Sequence, residues 1–333
     1  MTALEISELA VRFATEDGDV LAVKDVSLSV RPGEILALCG ESGCGKSVTA
    51  MAVSRLLPPN ARISGSVRLD GRELTGLSER ELRQVRGKDV SMVFQEPMTS
   101  LNPSFTVGFQ IDDVLRQHEK LSRRAARVRT VELLELVGIA DPARRCREYP
   151  HQLSGGMRQR VMIAMAVACS PRVLIADEPT TALDVTIQAG VLDIFRDLAD
   201  RLGTAIVLIT HDLGVVAAVA DQVAIMYAGR LVERAGVTEL FAAPRHPYTV
   251  GLLGALPAAV SRISDGTRGR LVEIPGMLPD PPRRDGDDCA FAPRCRRAEP
   301  DCAAARPALA GTGRSTVDKY SHQLACFHPE AVR

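Results

Sequence analysis

The chain lacks net charge, long apolar runs, tryptophan and any visible internal repeat. Its 41 basic and 41 acidic side chains cancel, which excludes a global basic field for nucleic acid and leaves room only for a local patch. No stretch of about 18 apolar residues is present, so no transmembrane helix is expected. The opening Met1-Thr2-Ala3-Leu4-Glu5 has no basic segment followed by an apolar core. No secretory signal is expected, and the site of action is expected to be cytosolic, the cytosolic face of a membrane included. The missing tryptophan excludes little, because 46% hydrophobic and 25% charged residues are ordinary for a soluble globular protein. The length of 333 residues suggests roughly two domains.

What is present is more specific. Residues 40–47 read Gly-Glu-Ser-Gly-Cys-Gly-Lys-Ser, a complete G-x-x-x-x-G-K-[ST] phosphate loop. Its glycines let the backbone curl until successive N–H groups, from Ser42, Gly43, Cys44 and Gly45 to Ser47 and Val48, face phosphate oxygens. The helix that follows adds its N-terminal dipole. Lys46 is expected to reach the β- and γ-phosphates and Ser47 to hold Mg²⁺. The flanks suit the motif: Glu34 to Cys39 reads as a buried strand, and Ser47 to Leu57 as a helix stopped by Pro58-Pro59.

Residues 4–13 and 20–30 alternate apolar and polar positions around Glu16-Asp17-Gly18-Asp19, which predicts an antiparallel pair with a turn. Stretches 78–86 and 122–137 read as helices. Val173 to Ala176 and Ala205 to Ile209 are short apolar runs, expected as strands covered on both faces. Helical stretches 155–169 and 186–202 alternate with them, so a largely parallel sheet with helices on its faces is predicted. Residues 221–235 return to strand-like alternation. After about residue 240 the texture changes: prolines cluster at 275, 279, 281 and 282, and Arg283 to Asp288 is polar. The expected division is 1–240 and 241–333, with a Pro-rich connector at 275–288.

Two further motifs say what the loop is for. The strand 173–176 ends in Asp177-Glu178: an acid there can bind Mg²⁺, directly or through water, and the next is placed to polarise an attacking water. Leu153-Ser154-Gly155-Gly156-Met157 precedes that strand by about one helix. Ser154 is a candidate cap, leaving free N–H groups for a γ-phosphate.

In this order the motifs resemble the nucleotide-binding subunit of an ATP-binding-cassette (ABC) transporter. Residues 40–47 are similar to the Walker A motif and 173–178 to Walker B with catalytic Glu178. Residues 153–157 resemble the signature loop, with Met157 where Gln is more usual. Gln95, in Val93-Phe94-Gln95-Glu96-Pro97, matches the Q-loop, and His211 the switch histidine. Ala182-Leu183-Asp184 stands where Ser-Leu-Asp is common. Phe13 is the candidate aromatic for adenine. The resemblance implies an α/β P-loop NTPase cassette: a RecA-like parallel sheet core, an antiparallel β subdomain, and a helical signature subdomain at about 96–160. It implies ATP hydrolysis by Glu178, His211, Lys46 and Gln95, with Mg²⁺ on Ser47, Gln95 and Asp177. It also implies two cassettes facing head to tail, Ser154, Gly155 and Gly156 of each completing the other's ATP site.

Gln95 to Pro103, Tyr149-Pro150-His151-Gln152 and Pro244 to Thr249 resemble the peptide and nickel importers of that family. This implies an ATPase on the cytoplasmic face of the cell membrane that powers oligopeptide or dipeptide import. The implied partners are a second ATPase (a paralogue, giving a heterodimer), two transmembrane permeases and an extracytoplasmic peptide-binding protein, with no nucleic acid. A nickel or other small-solute importer stays open as the alternative. A non-transport cassette of DNA repair or translation is more remote, since paired cassettes and coiled-coil insertions are absent. A binding module with dead sites conflicts with intact Lys46, Asp177, Glu178 and His211.

The eight cysteines do not suggest a disulfide framework. Cys39 and Cys169 read as core filler, and Cys44 contributes its backbone to the loop. Cys289, Cys295, Cys302 and Cys326 are spaced C-x5-C, C-x6-C and C-x23-C. Four thiolates suit an iron–sulfur cluster or tetrahedral zinc, or are incidental; the tight pairs of zinc knuckles are absent. The segment resembles the cluster-binding tail of oligopeptide and dipeptide importer ATPases, which implies [4Fe–4S]. His246 reads as a cap or packing residue, and His322 and His328 as bystanders.

Overall fold

The computed structural model describes residues 2–95, 100–181, 183–255, 274–279, 286–312 and 320–331. Glu96 to Thr99, Ala182, Pro281, Pro282 and Arg283 to Asp285, singled out above, lie outside the described residues.

Strands β1 (Leu4–Thr15) and β2 (Gly18–Val30) form the predicted hairpin about Glu16-Asp17. The alternation of β1 slips at Glu8, whose φ is 50°, so that Leu4 and Ile6 before it and Leu9 and Val11 after it are all buried. Strand β3 (Ile35–Cys39) is buried at every position and leads through the phosphate loop into the helix Lys46–Val53. That helix is shorter than expected. It ends before the prolines, because Arg55 takes a left-handed conformation with φ 49°. Leu56 N–H then donates to Met51 O and Arg55 N–H to Ala52 O, the paired bonds of a Schellman stop with arginine where glycine is usual.

Strands β4 (Ala61–Leu69) and β5 (Arg72–Glu73) follow, then β6 (Val90–Val93), β7 (Val173–Asp177) and β8 (Ala205–Thr210). Strands β9 (Gln222–Tyr227) and β10 (Arg230–Gly236) make a second hairpin, and β11 (Ala310–Gly311) and β12 (Gln323–Leu324) come from the C-terminal segment. Contacts group the chain into two units, one of Met1–Glu5, Ser29–Ile35 and Val67–Ile209, the other of Ile6–Leu28, Leu36–Ser66 and Thr210–Arg333.

In the first unit β6, β7 and β8 are parallel, with Val90 opposite Val173 and Val173 opposite Ala205. Both β7 and β8 are buried throughout, as strands covered on two faces must be. Among the described residues between β6 and β7 are the helices Val107–His118, Arg123–Leu136, Pro142–Arg145 and Gly155–Ala166. Each of the three longer helices opens on a hydroxyl cap, from Thr106, Ser122 and Ser154. Val107, Ile111 and Leu115 share one face and are buried, and each such burial stabilises by about 1.5–3 kcal/mol. Arg160 reaches back to the carbonyl of Val137 at 2.6 Å, placing a cation at the end of the neighbouring helix.

In the second unit β9 pairs parallel with β3 and antiparallel with β10. Strand β12 adds to β10, and β11 to β12, both antiparallel. The parallel arrangement expected from the apolar runs therefore gives way to an antiparallel extension made by the second hairpin and the C-terminal segment. The turn of that hairpin has φ 47° at Ala228 and 84° at Gly229. Gly229 N–H donates to the Cys44 carbonyl at 2.8 Å, and Lys24 N–H to the Gly229 carbonyl at 2.9 Å.

The C-terminal segment shares this unit's core rather than building one of its own. Phe291 packs edge-on to Tyr227 at 5.2 Å and lies 5.4 Å from Tyr248, in a cluster with Cys39, Val223 and Ile225. Buried His322 lies between two carboxylates, with Nε2 2.7 Å from Glu233 and Nδ1 3.0 Å from Glu239. Glu233 also accepts the N–H groups of Arg245 and His246, so a β10 side chain organises the start of the segment. His246 is buried and caps the helix Pro247–Gly254 through Nδ1, the structural role expected of it. Burial pushes its pKa down to about 4.

Candidate functional site

The second unit carries the phosphate loop. Gly40 leaves β3 at φ 152°, and a Cβ there would run into the Met226 carbonyl oxygen, so the strand end can turn only as glycine. Gly45, left-handed at φ 111°, starts the helix, and its carbonyl accepts from Thr49 Oγ1 at 3.0 Å. Lys46 is 5% exposed. Its Nζ donates to the carbonyls of Gly40 and Glu41 at 2.8 and 3.0 Å. Carbonyl dipoles hold the ammonium without cancelling its charge, and a buried cation so held fits a phosphate ligand. Ser42 and Gly43 are exposed, Cys44 is buried, and Ser47 and Val48 are half-buried. Cys39, one residue before the loop, has its thiol pushed up to about 12, chiefly by burial. Phe13 is half-buried on β1 of the same unit. His211 is exposed and follows Thr210, whose hydroxyl accepts the N–H of Asp212. Asp212 in turn caps the helix Leu213–Val219.

The first unit carries the acids. Asp177 closes β7 and is 7% exposed. Glu178 follows at φ 46°, a conformation rare for a side-chain-bearing residue and frequent at functional positions. Its N–H donates to Ile209 O at 2.9 Å, which holds the turn against β8. Gln95 Nε2 donates to Glu178 Oε2 at 3.0 Å, and Thr181 Oγ1 donates to the same oxygen at 3.0 Å. Gln95 and Glu178 meet because β6 and β7 run parallel, with Val93 opposite Ala176, and their next loops leave from the same end. Thr181 was not legible as a site residue, since a threonine after Asp-Glu-Pro-Thr reads as an ordinary turn.

Ser154 accepts from Met157 N–H at 3.3 Å, the predicted cap. Gly155 is exposed, and a Cβ there would meet nothing within 4 Å. Asp184 caps the helix Val185–Leu202 by accepting from Ile187 N–H at 2.9 Å.

The four C-terminal cysteines converge. Cys289, Cys295, Cys302 and Cys326 line one cavity, with Phe291 and Phe327 among its walls. Cys289 N–H donates to the Cys302 carbonyl at 2.8 Å. Burial pushes the Cys326 thiol up to about 11, and the three other thiols add to it; burial also raises Cys289 and Cys295. Four thiols lining an apolar pocket fit a soft metal group, whose charge would reverse these shifts. His328 and Asp301 sit beside Cys302, with His328 Nε2 2.8 Å from Asp301 Oδ1. His322 is held elsewhere, by its two glutamates.

Sequence reasoning missed one more group. Glu41 in the phosphate loop pairs with Arg294 of the C-terminal segment, and its N–H donates to Tyr248 Oη at 2.9 Å. The only signal was a glutamate inside an anion-binding loop, a charge that needs a partner.

A family profile described as "ABC transporter" matches residues 23–181, and one described as "Oligopeptide/dipeptide transporter, C-terminal region" matches residues 232–302. The oligopeptide transport ATP-binding protein OppD of Bacillus subtilis is 53% identical over 296 residues, covering 87% of this chain and 80% of that protein. OppD of Mycobacterium tuberculosis is 49% identical over 332 residues, covering 99% of this chain and 52% of that protein, so the chain spans about half the length of this relative. Among solved structures, a dimeric post-hydrolysis state of the ATP-binding cassette MJ0796 bound to ADP and Pi superposes with a TM-score of 0.64. It is 27% identical, over 70% of this chain and 98% of its own.

Proposed function

Because this chain belongs to the ABC transporter family of ATP-binding proteins, in its oligopeptide/dipeptide branch, we propose that it hydrolyses ATP to power import of oligopeptides or dipeptides across the cell membrane. One observation carries the catalytic half of the reading: Gln95 and Glu178, distant in sequence, share a hydrogen bond at the end of the β7 strand. Glu178 is the group that accepts a proton from the attacking water. Gln95 and Thr181 hold its carboxylate in one orientation until substrate takes their place. Lys46 and the loop N–H groups of Ser42, Gly43, Cys44, Gly45, Ser47 and Val48 bind the phosphates. Phe13 stacks on the base, and His211 positions the γ-phosphate. The donors proposed for magnesium, Ser47, Gln95 and Asp177, are all oxygen, as a hard cation requires. When bound, the ion neutralises phosphate charge.

Ser154, Gly155 and Gly156 serve the ATP of a facing cassette, so the working form is a pair that closes on ATP and reopens after hydrolysis. The pair is proposed to be a heterodimer with a paralogue, on the cytoplasmic face of the membrane, against two permeases and fed by an extracytoplasmic peptide-binding protein. Among the described residues no helix is long and apolar enough to cross a membrane. The cassette is assigned to residues 1–240, with its helical subdomain at about 96–160, and the extension to 241–333. The likeness of residues 232–302 to the oligopeptide/dipeptide C-terminal region favours peptide over nickel as cargo. The four cysteines hold a [4Fe–4S] cluster on this reading; zinc, which would draw on Cys302 and His328, is the alternative.

Glu178→Gln tests the catalytic assignment. ATP turnover should fall by about a hundredfold or more while ATP binding persists and the closed pair accumulates. A variant that hydrolyses at the normal rate removes Glu178 from its role.

A further inference from the structure

We propose that Arg294 is a positioning residue of the nucleotide site, acting through Glu41, and that the cysteine-bearing segment thereby sets how tightly the phosphate loop holds ATP. The inference rests on the reading of residues 40–47 as an ATP-binding loop.

Arg294 immediately precedes Cys295 and follows the turn that begins at Cys289. Its guanidinium reaches across the unit to the loop as a two-pronged pair: Nη1 to Glu41 Oε2 at 2.8 Å and Nη2 to Glu41 Oε1 at 3.0 Å. Two further donors are also directed. Nε donates to the Pro275 carbonyl at 2.8 Å, and Nη1 lies 3.4 Å from Tyr227 Oη, with the guanidinium carbon 5.7 Å from that ring's centre. The arginine side chain is 7% exposed and the glutamate 28%, so the pair is largely withdrawn from water. A fork of this kind specifies orientation as well as distance, and removing one member strands a charge.

Glu41 has a further attachment on each side of its backbone. Its N–H is taken by Tyr248 Oη, from the helix that opens the C-terminal segment. Its carbonyl receives Lys46 Nζ. The residue gripped by Arg294 is thus one of the two carbonyl seats of the lysine expected to bind phosphate. A movement of Cys289 or Cys295 displaces Arg294, which displaces Glu41, which changes the seat of Lys46. A group ligated by the cysteines fixes the first step of that chain. Linkage requires the converse: bound ATP must steady the cysteine segment by the same factor.

The test uses the full chain assembled with its partner subunits, with MgATP as the ligand and the same assembly carrying Lys46→Ala as the blank. Arg294→Met should weaken ATP binding and raise its KM by about five- to tenfold, with kcat changed by less than about twofold. Arg294→Lys, which offers a point charge without a fork, should fall between wild type and Arg294→Met. Glu41→Gln should match Arg294→Met, and the double variant should be no worse than either single one. Cys295→Ser should weaken ATP binding in the wild-type background and add nothing to Arg294→Met. ATP should slow amide hydrogen exchange across residues 289–302 in the wild type and leave it unchanged in Arg294→Met. Additive effects, an unchanged KM, or exchange indifferent to ATP in the wild type overturns the proposal. Should Arg294→Met fail to fold, Arg294→Lys and Glu41→Gln decide the matter. A wild-type chain that binds no ATP at all overturns the reading of the loop itself, and this inference with it.

Discussion

The phosphate loop and the cysteine-lined segment lie in one unit and are built in opposite ways. The loop works through its backbone: contiguous residues, glycine at strained positions, and a lysine seated on its own carbonyls. The segment works through side chains brought from residues 289 to 326 and leans on a neighbour's core for its shape. A site of the first kind is written as a string. A site of the second kind exists only once β12 has joined β10 and Phe291 has found Tyr227 and Tyr248.

Substitutions can break or sharpen that contrast. The largest effect is expected from Lys46→Ala, which leaves the loop backbone in place and should still lower ATP turnover by about a thousandfold. A variant with more than a tenth of wild-type turnover would mean that the backbone alone suffices. Phe291→Ala should cost about 3 kcal/mol, read as a lowered midpoint in denaturation of the C-terminal segment. If that midpoint does not move, the shared core contributes nothing and the segment stands by itself. Cys302→Ser should remove bound iron and its brown absorbance from anaerobically purified protein and lower thermal stability. Wild-type protein without iron sinks the cluster assignment and turns attention to zinc.

The smallest effect concerns pH. Burial alone would lower the His322 pKa, but hydrogen bonds to Glu233 and Glu239 outweigh it and leave the pKa raised. Its contribution to stability is therefore complete below about pH 6.5, the unfolded value, and is lost as pH rises through the raised folded value. Burial would raise the Glu233 pKa, but His322, Thr249 and two backbone N–H groups outweigh it and leave the pKa lowered. That contribution is present above the ordinary glutamate value and is lost as pH falls. The docked segment should be firmest between those limits. His322→Gln should flatten the decline in melting temperature as pH rises above the ordinary histidine value and change the acid side less. An unaltered alkaline decline would show that the pair does not govern docking.

Much of this was legible in the sequence, for identifiable reasons. Runs such as Val173 to Ala176 and Ala205 to Ile209 are too short for helices and too apolar for exposed strands, and they became β7 and β8. Ser154 was recognisable as a cap because a hydroxyl stood before a helical stretch. The stop at Arg55 was hidden, because prolines further on looked like the terminator while a left-handed arginine did the work. Thr181 and Arg294 were hidden for another reason. Neither is unusual locally, and each acquires meaning only from a carboxylate remote in sequence or masked by a stronger motif.

The turn at Ala228-Gly229 carries one more consequence. Tips of two-stranded ribbons are where chains ordinarily accept inserted residues without harm. This tip is wedged between Lys24 and Cys44, and a methyl group on Gly229 would come within 2.7 Å of the Ala22 carbonyl oxygen. A place that looks spare on paper is a keystone, and lengthening it by even one residue should loosen the phosphate loop it props through Cys44.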